Sequence, residues 1–150
     1  MTPSRIEVVA LSVAALWTAV PSAAGAQTCS RSDFEAVVGE AAQALRALNH
    51  KNKPAFQAKL RELKAKRGWS HDQFLAAAAP IVQDQKISTY DEQSTAFLSR
   101  IEQLGAEATT AASPDCGRLA EVRKSMTDLV AVQKAKWAYM FERVTAELSR

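Results

Sequence analysis

The chain is poor in the residues on which metal and covalent chemistry depend. Its only histidines are His50 and His71, and its only cysteines are Cys29 and Cys116. A predicted helix separates the two histidines by about 20 Å or more, and neither belongs to an H-x-x-x-H or E-x-x-H pair. The sequence contains no glycine-rich phosphate loop, no G-x-S-x-G nucleophile motif and no C-x-x-C-H haem-attachment motif. We therefore predict a non-catalytic protein with no metal site and no cofactor.

Long apolar runs are also scarce. The longest run, VVALSVAALWTAV at 8–20, is shorter than the ~20 residues that a membrane-spanning helix needs. Small residues follow it and include an A-x-A site ending at Ala26, which is typical of a cleaved signal peptide. We predict a signal peptide over residues 1–26, cleaved after Ala26, and a single helical-bundle domain over residues 27–150 without a transmembrane helix. This predicts a periplasmic or secreted protein; an uncleaved membrane anchor is the alternative.

Apolar residues in 27–150 recur every three or four positions, which is the period of an amphipathic helix, and nowhere alternate at two. The sequence therefore predicts an all-α fold. The segment GWSHDQF gives the clearest local signal. Gly68 is expected to end one helix, and Ser70 and Gln73 to form a capping box for the next, with Trp69 packing on Phe74.

Other boundaries follow from single residues. We expect Ser32 to cap the first helix, and Pro54 to begin a new helix after an interruption at NHKNKP. Pro80 predicts a kink or break, because its ring removes a backbone donor and clashes with the preceding turn. Gly105 is expected to end a helix, and Ser113 to cap the last one.

In an exported chain, the pair Cys29 and Cys116 predicts one disulfide, which stabilises the fold by ~4–5 kcal/mol in the chain-entropy theory. Cys29 precedes the first helix and Cys116 lies in the first turn of the last. Because the two Cα atoms must lie within ~7 Å, an odd number of helical passes is predicted. Two elongated layouts remain: three long rods at 32–67, 70–104 and 114–149, the first two broken or bent, or five shorter helices reversing also near 50–54 and 80–88. We prefer the three rods, because their lengths match closely.

Positive charge is concentrated in the segment 46–67, which has eight basic residues and one acid, Glu62. A basic amphipathic helix of this kind can bind an anionic membrane or an acidic partner. The candidate anionic-partner patch consists of Lys51, Lys53, Lys59, Arg61, Lys64, Lys66 and Arg67. Alternatively, the segment is a solvated helix side that pairs in part with acids of the next rod, namely Asp72, Asp84, Asp91 and Glu92. Export and a net charge of only +3 argue against a nucleic-acid partner.

Two polar residues, Ser94 and Gln133, interrupt the apolar stripes of their helices. A buried glutamine needs hydrogen-bond partners. The pair could therefore form one core hydrogen bond that fixes the register, or could line a cavity for a small hydrophobic ligand. The residues of this possible cavity are Tyr90, Ser94, Phe97, Gln133 and Trp137.

Two segments, APIVQDQ at 79–85 and SPDCGRLAEVRK at 113–124, resemble parts of exported all-helical chorismate mutases. Those enzymes are held by disulfides and place cationic side chains around a dicarboxylate, so the resemblance implies a cofactor-free helical enzyme. The segment after Pro80 lacks the Arg–Glu pair of that family, and no catalytic residue is carried over.

The sequence thus predicts an exported, non-catalytic, chaperone-like or binding protein of the cell envelope. Its partner would be an anionic envelope component or an acidic protein, bound through the patch in 46–67. The alternative function is a carrier of a small hydrophobic ligand in the possible cavity. A chorismate-mutase-like enzyme is the remote alternative.

Overall fold

The computed structural model describes residues 29–110 and 115–150. These residues form four α-helices and contain no strand, which confirms the all-α prediction. The helices are α1 (Arg31–Arg67), α2 (His71–Val82), α3 (Gln85–Thr110) and α4 (Cys116–Ser149). The predicted signal peptide at 1–26 and the predicted cap at Ser113 lie outside the described residues.

Helix α4 is the centre of the fold, and both α1 and α3 pack mainly on it. Helices α1 and α4 run parallel, since the disulfide joins Cys29 to Cys116 at their starts, with the two Cα atoms 5.4 Å apart. At the opposite end, Arg67 contacts Glu147. The predicted disulfide is therefore confirmed, and it joins residues that lie 87 positions apart in the sequence.

Helix α3 runs antiparallel to α4. Asp84, just before α3, pairs with Arg143 near the end of α4, whereas Arg100 pairs with Glu121 near its start. Helix α2 is shorter and contributes Ile81 to the core shared by the ends of α1 and α4. Together α2 and α3 return the chain from the end of α4 to its beginning.

The buried core has two parts along α4. The part near the disulfide is built from Val37, Ala41, Leu104, Leu119, Val122 and Met126. The part at the other end is built from Phe56, Leu63, Ile81 and Val144, with Trp69, Trp137 and Phe141 packed against it. Because both parts contain residues of α1 and α4, these two helices are held together along most of their length.

The structure has four helices, whereas the predicted layouts had three long rods or five shorter helices. The first cause of the difference is that Pro54 does not interrupt α1. It lies inside α1, which continues unbroken through it. A proline inside a helix destabilises that helix by ~3 kcal/mol or more. On one side of it Val37 and Ala41 are buried against α4, and on the other side Phe56 and Leu63 are. Packing of both halves on α4 offsets this penalty and α1 continues through the proline, so the predicted interruption at 50–54 is wrong.

The second reason is that the second predicted rod divides after Pro80. Pro80 lies within α2, which ends at Val82, and the C-cap residue Gln83 has an extended backbone. The chain then restarts as α3, where the Asp84 carboxylate accepts a hydrogen bond from the Ile87 amide at 2.8 Å. Gly105 does not end α3, which continues to Thr110.

Within GWSHDQF, the helix end at Gly68 and the Ser70–Gln73 capping box follow the prediction. Gly68 has φ 63°, in the left-handed region that favours glycine, and ends α1. Ser70 and Gln73 form the capping box of α2: the Ser70 amide donates to Gln73 Oε1 at 2.9 Å, and the Gln73 amide donates to Ser70 Oγ at 3.3 Å. The hydrogen bonds that cap the start of α2 therefore lie within four residues of one another in the sequence.

Two other caps differ from the prediction by a few residues. The capping box of α1 is formed by Ser30 and Asp33 rather than starting at Ser32. The N-cap of α4 is Asp115, whose carboxylate accepts hydrogen bonds from the amides of Gly117 and Arg118. In both cases a carboxylate close to the helix start completes the cap, which stabilises the positive end of the helix dipole.

Candidate binding surface on helix α1

The predicted anionic-partner patch lies on α1, whose apolar side faces α4. Phe56 is 5% exposed and Leu63 is fully buried, so the basic residues occupy the rest of the helix circumference. The structure divides them into cations that are engaged within the fold and cations that are not. This division depends on the neighbouring helices, and the sequence pattern alone does not reveal it.

Two of the patch residues bind the end of α4. The Lys66 ammonium donates to the carbonyl of Leu148, and the Arg67 guanidinium donates to the carbonyl of Glu147 at 3.0 Å. Arg67 also lies 3.8 Å from the Glu147 carboxylate. These cations complement the negative end of the α4 dipole, so they act first as structural contacts between two helix ends.

Lys59 is the third engaged cation of the patch, with its ammonium 3.6 Å from the carboxylate of Glu62. Lys64 is half-buried and places its ammonium 5.8 Å from the centre of the Phe74 ring on α2, a cation–π contact. Lys64 therefore lies at the junction of α1 and α2, and no acidic side chain in the described residues pairs with it.

The remaining patch residues, Lys51, Lys53 and Arg61, are exposed and have no acidic partner within 29–110 and 115–150. Arg46, which precedes the patch, is also exposed and has no acidic partner among those residues. At 100° per residue, four cations fall on one side of α1 over a length of about 27 Å. We call this set the α1 basic side: Arg46, Lys53, Arg61 and Lys64.

Two of the four acidic residues expected to pair with the segment 46–67 form ion pairs with α4 instead. Asp84 pairs with Arg143, and Asp91 pairs with Lys136, both on α4. Asp72 makes no ion pair with the described residues, and neither does Glu92. Among the described residues, none of the four acids of the next rod therefore forms an ion pair with the α1 basic side.

Asp84 lies in a polar contact that the sequence analysis did not identify. Its carboxylate accepts hydrogen bonds from the Ile87 amide and, at 2.7 Å, from the Tyr139 hydroxyl, and pairs with Arg143. The Ile87 hydrogen bond, followed by Tyr139 and Arg143, lowers the pKa of Asp84 although burial opposes the shift. The available signal was the i, i+4 spacing of Tyr139 and Arg143 on one helix face.

The residues of the possible cavity are only partly together. Ser94 is 7% exposed; its hydroxyl accepts from Gln133 Nε2 at 2.7 Å and donates to the Tyr90 carbonyl at 2.8 Å. This is the core hydrogen bond that formed one of the two predicted explanations, and it satisfies both polar side chains without a ligand. Phe97 is half-buried on α3.

Trp137 lies on a different side of α4, toward α1. Its ring centre is 5.9 Å from that of Phe56, and its Nε1 donates to Asn49 Oδ1 at 3.1 Å. Trp137 therefore belongs to the aromatic core shared by α1 and α4, and the Ser94–Gln133 hydrogen bond belongs to the packing of α3 on α4.

The described residues contain neither a candidate metal-binding cluster nor a helix able to span a membrane. His50 and His71 are both exposed, and the described residues include no group of three potential ligands able to hold a metal ion. Within the same residues, none of the helices combines the length and the apolar character needed to cross a membrane.

Comparisons with known proteins give no relative from which a role could be transferred. No family model matches the chain, and no curated protein and no solved structure is significantly similar to it. A functional proposal therefore depends on the geometry and charge of the chain's own residues.

Proposed function

We propose that this chain is an exported, non-catalytic binding protein of the cell envelope that associates with an anionic component through the α1 basic side. One observation carries the proposal. Arg46, Lys53 and Arg61 share one side of a long helix, are exposed, and have no acidic partner in the described residues. With Lys64 they form a row of positive charge that the fold does not itself neutralise.

The rigidity of α1 favours this use of the row. Phe56 and Leu63 anchor the same helix to α4, so a partner would meet charges at fixed spacing along ~27 Å of helix. Each lysine or arginine close to an anionic lipid surface contributes about 1 kcal/mol to binding. Acting together, the four cations would give salt-sensitive association.

Export is supported by two independent features. The leader-like residues 1–26 are typical of a signal peptide, and the disulfide between Cys29 and Cys116 is of a kind that persists in oxidising compartments. An exported protein meets anionic envelope components, and this is the setting in which we place the proposed contact.

The proposal is tested by neutralising three cations of the row in one variant, Lys53→Gln, Arg61→Gln and Lys64→Gln. Loss of three contributions of about 1 kcal/mol each is expected to weaken binding to vesicles containing anionic lipid roughly a hundredfold. Co-sedimentation with such vesicles at low ionic strength measures the change.

The matched control removes the same number of charges from cations that pair within their own helices or helix ends, as Arg31→Gln, Lys124→Gln and Arg150→Gln. If binding depends on where the cations lie on the surface, this control variant binds nearly as well as the native chain. Equal weakening by both variants would show that only net charge counts, and native binding by the first variant would refute the proposal.

A further inference from the structure

A histidine lies within the row of cations that forms the α1 basic side. His50 follows Arg46 by four positions and precedes Lys53 by three on the unbroken helix α1. It is therefore about one helical turn from each, at about 6 Å and about 4.5 Å along the axis. At 100° per residue, its direction falls within the sector of the helix that the four cations occupy. A positive charge on His50 would therefore extend the same row.

His50 lies on the side of α1 opposite to α4. Ala41 is buried in the core shared with α4, and nine residues later the helix has turned by about 900°, which leaves His50 half a turn away. His50 is accordingly exposed. Helix α2 contacts α1 at Lys64, about 21 Å further along the axis. The body of α1 therefore separates His50 from α4, and α2 lies beyond its reach.

The charged residues of α4 and α3 at this level do not face His50. The contact of Asn49 with Trp137 sets the level. Within about one turn of Trp137, α4 carries the charged residues Lys134, Lys136 and Glu142, all on the other side of the α1 axis. Helix α3 is level with them at Asp91, which pairs with Lys136. Glu92 lies two residues from Ser94, which contacts α4, and so on the far side of α3.

Helix α1 itself places no acid near His50. The acids that flank it along the helix are Glu40 and Glu62, ten residues before it and twelve after it. These spacings correspond to about 15 Å and about 18 Å along the axis. Among the described residues, none therefore neutralises a proton on the His50 imidazole, and its charge can act on a partner of the row.

The imidazole is the one group of this row whose charge changes between about pH 5 and about pH 8. The lysine and arginine side chains keep their charge over that whole range. An anionic group bound to the row favours the protonated imidazole, since opposite charges stabilise the charged form. By linkage, a proton on the imidazole then strengthens the binding of the anion by the same factor.

We propose that His50 makes the anionic contact of the α1 basic side dependent on pH, so that binding tightens as the imidazole gains a proton and weakens as it loses one. This inference rests on the proposed function and names a regulation of the same site. One added charge close to an anionic lipid surface should strengthen binding about fivefold. No rearrangement of the fold is needed, because His50 is already exposed beside Arg46 and Lys53.

The test measures binding of the native, disulfide-bonded chain to vesicles containing phosphatidylglycerol, whose phosphodiester remains ionised throughout. Co-sedimentation at low ionic strength is compared at about pH 8 and about pH 5.5, on either side of the ordinary histidine range. The native chain should bind about fivefold more tightly at the lower pH. His50→Gln should bind with one affinity at both pH values, equal to that of the native chain at the higher pH.

Two further variants separate the position of the charge from its presence. His71→Gln removes the other histidine, which is exposed at the start of α2 and lies about 25 Å from His50 along α1. This matched control should keep the fivefold response of the native chain. His50→Lys fixes a positive charge in the row and should bind at about pH 8 as tightly as the native chain binds at about pH 5.5.

The outcomes distinguish this inference from the proposed function. If the native chain binds in a salt-sensitive manner but equally at both pH values, the proposed function stands and the role of His50 is overturned. A pH response that survives in His50→Gln, or that disappears in His71→Gln, also overturns it. If the native chain binds these vesicles at neither pH, the proposed function is overturned, and the regulation falls with it.

Discussion

At the residue scale, the interactions of the Asp84 carboxylate can be tested through the pH dependence of stability. The Ile87 amide, Tyr139 and Arg143 hold the pKa of Asp84 below its ordinary value of 3.8. A group whose pKa is lower in the folded chain stabilises the fold above the unfolded pKa, and loses this effect as the pH falls from 3.8 through the folded value. We expect Asp84→Asn to lower the melting temperature at neutral pH and to reduce the loss of stability in acid.

Thermal unfolding followed by circular dichroism from neutral pH into the acid range measures both effects. The control is Asp72→Asn, which removes an exposed carboxylate that makes no ion pair with the described residues. That variant should keep the native slope of stability against pH. An Asp84→Asn variant with the native slope would contradict the assignment of the acid-sensitive contact to this residue.

The Ser94–Gln133 hydrogen bond gives a second prediction at the residue scale. Ser94→Ala leaves the amide of the half-buried Gln133 without its partner, which should cost about 0.5–1.5 kcal/mol of unfolding free energy. Adding Gln133→Leu removes the unsatisfied amide and should recover part of this loss. Chemical denaturation of the single and double variants measures the coupling, with Ser99→Ala on the exposed side of α3 as the control. Strictly additive effects would show that the two side chains act independently.

At the element scale, Pro54 tests why α1 is continuous. If packing on α4 overcomes a local penalty, Pro54→Ala should raise the unfolding free energy by about 1–3 kcal/mol, because alanine restores a backbone donor and removes a steric clash. Gln57→Ala, at an exposed position of the same helix, should change it by less than ~0.5 kcal/mol. Destabilisation by Pro54→Ala would mean that α1 needs a proline-dependent bend, and that packing on α4 does not impose a regular helix there.

The helix boundaries differ in how far the sequence could predict them. The reversal at Gly68 and the Ser70–Gln73 box were predictable, because all of their chemistry lies within a few residues. The behaviour of Pro54 and Gly105 was not, since packing on another helix overrides local propensity there. A kink or break was predicted at Pro80, and the structure places the break three residues later, at Gln83, where the Asp84 carboxylate then caps α3 through the Ile87 amide.

The candidate surface was predictable to a similar degree. Composition alone located the basic segment, because eight cations and one acid stand together in it. Which of these cations are engaged depends on where α4 ends, and its last carbonyls lie beside Lys66 and Arg67. The cation–π contact of Lys64 with Phe74 of α2 is likewise visible only in the structure.

At the scale of the whole molecule, the disulfide is the one covalent link between the starts of α1 and α4. Cys29→Ser combined with Cys116→Ser should lower the unfolding free energy by about 4–5 kcal/mol, as expected for a loop of this length. Because Phe56 and Leu63 still anchor α1 to α4 at the other end, the variant should remain helical at low temperature. Unchanged stability in denaturant would show that the linked ends are already held by packing alone.

The claim that the α1 basic side binds an anionic surface is tested most directly by titrating the native chain with vesicles as the ionic strength rises. The account predicts association with anionic vesicles at low salt, none with neutral vesicles, and progressive release as the screening length falls from ~10 Å at 0.1 M salt toward ~3 Å at 1 M. The account would be contradicted by equal association with neutral vesicles, or by no association with anionic vesicles even at low salt.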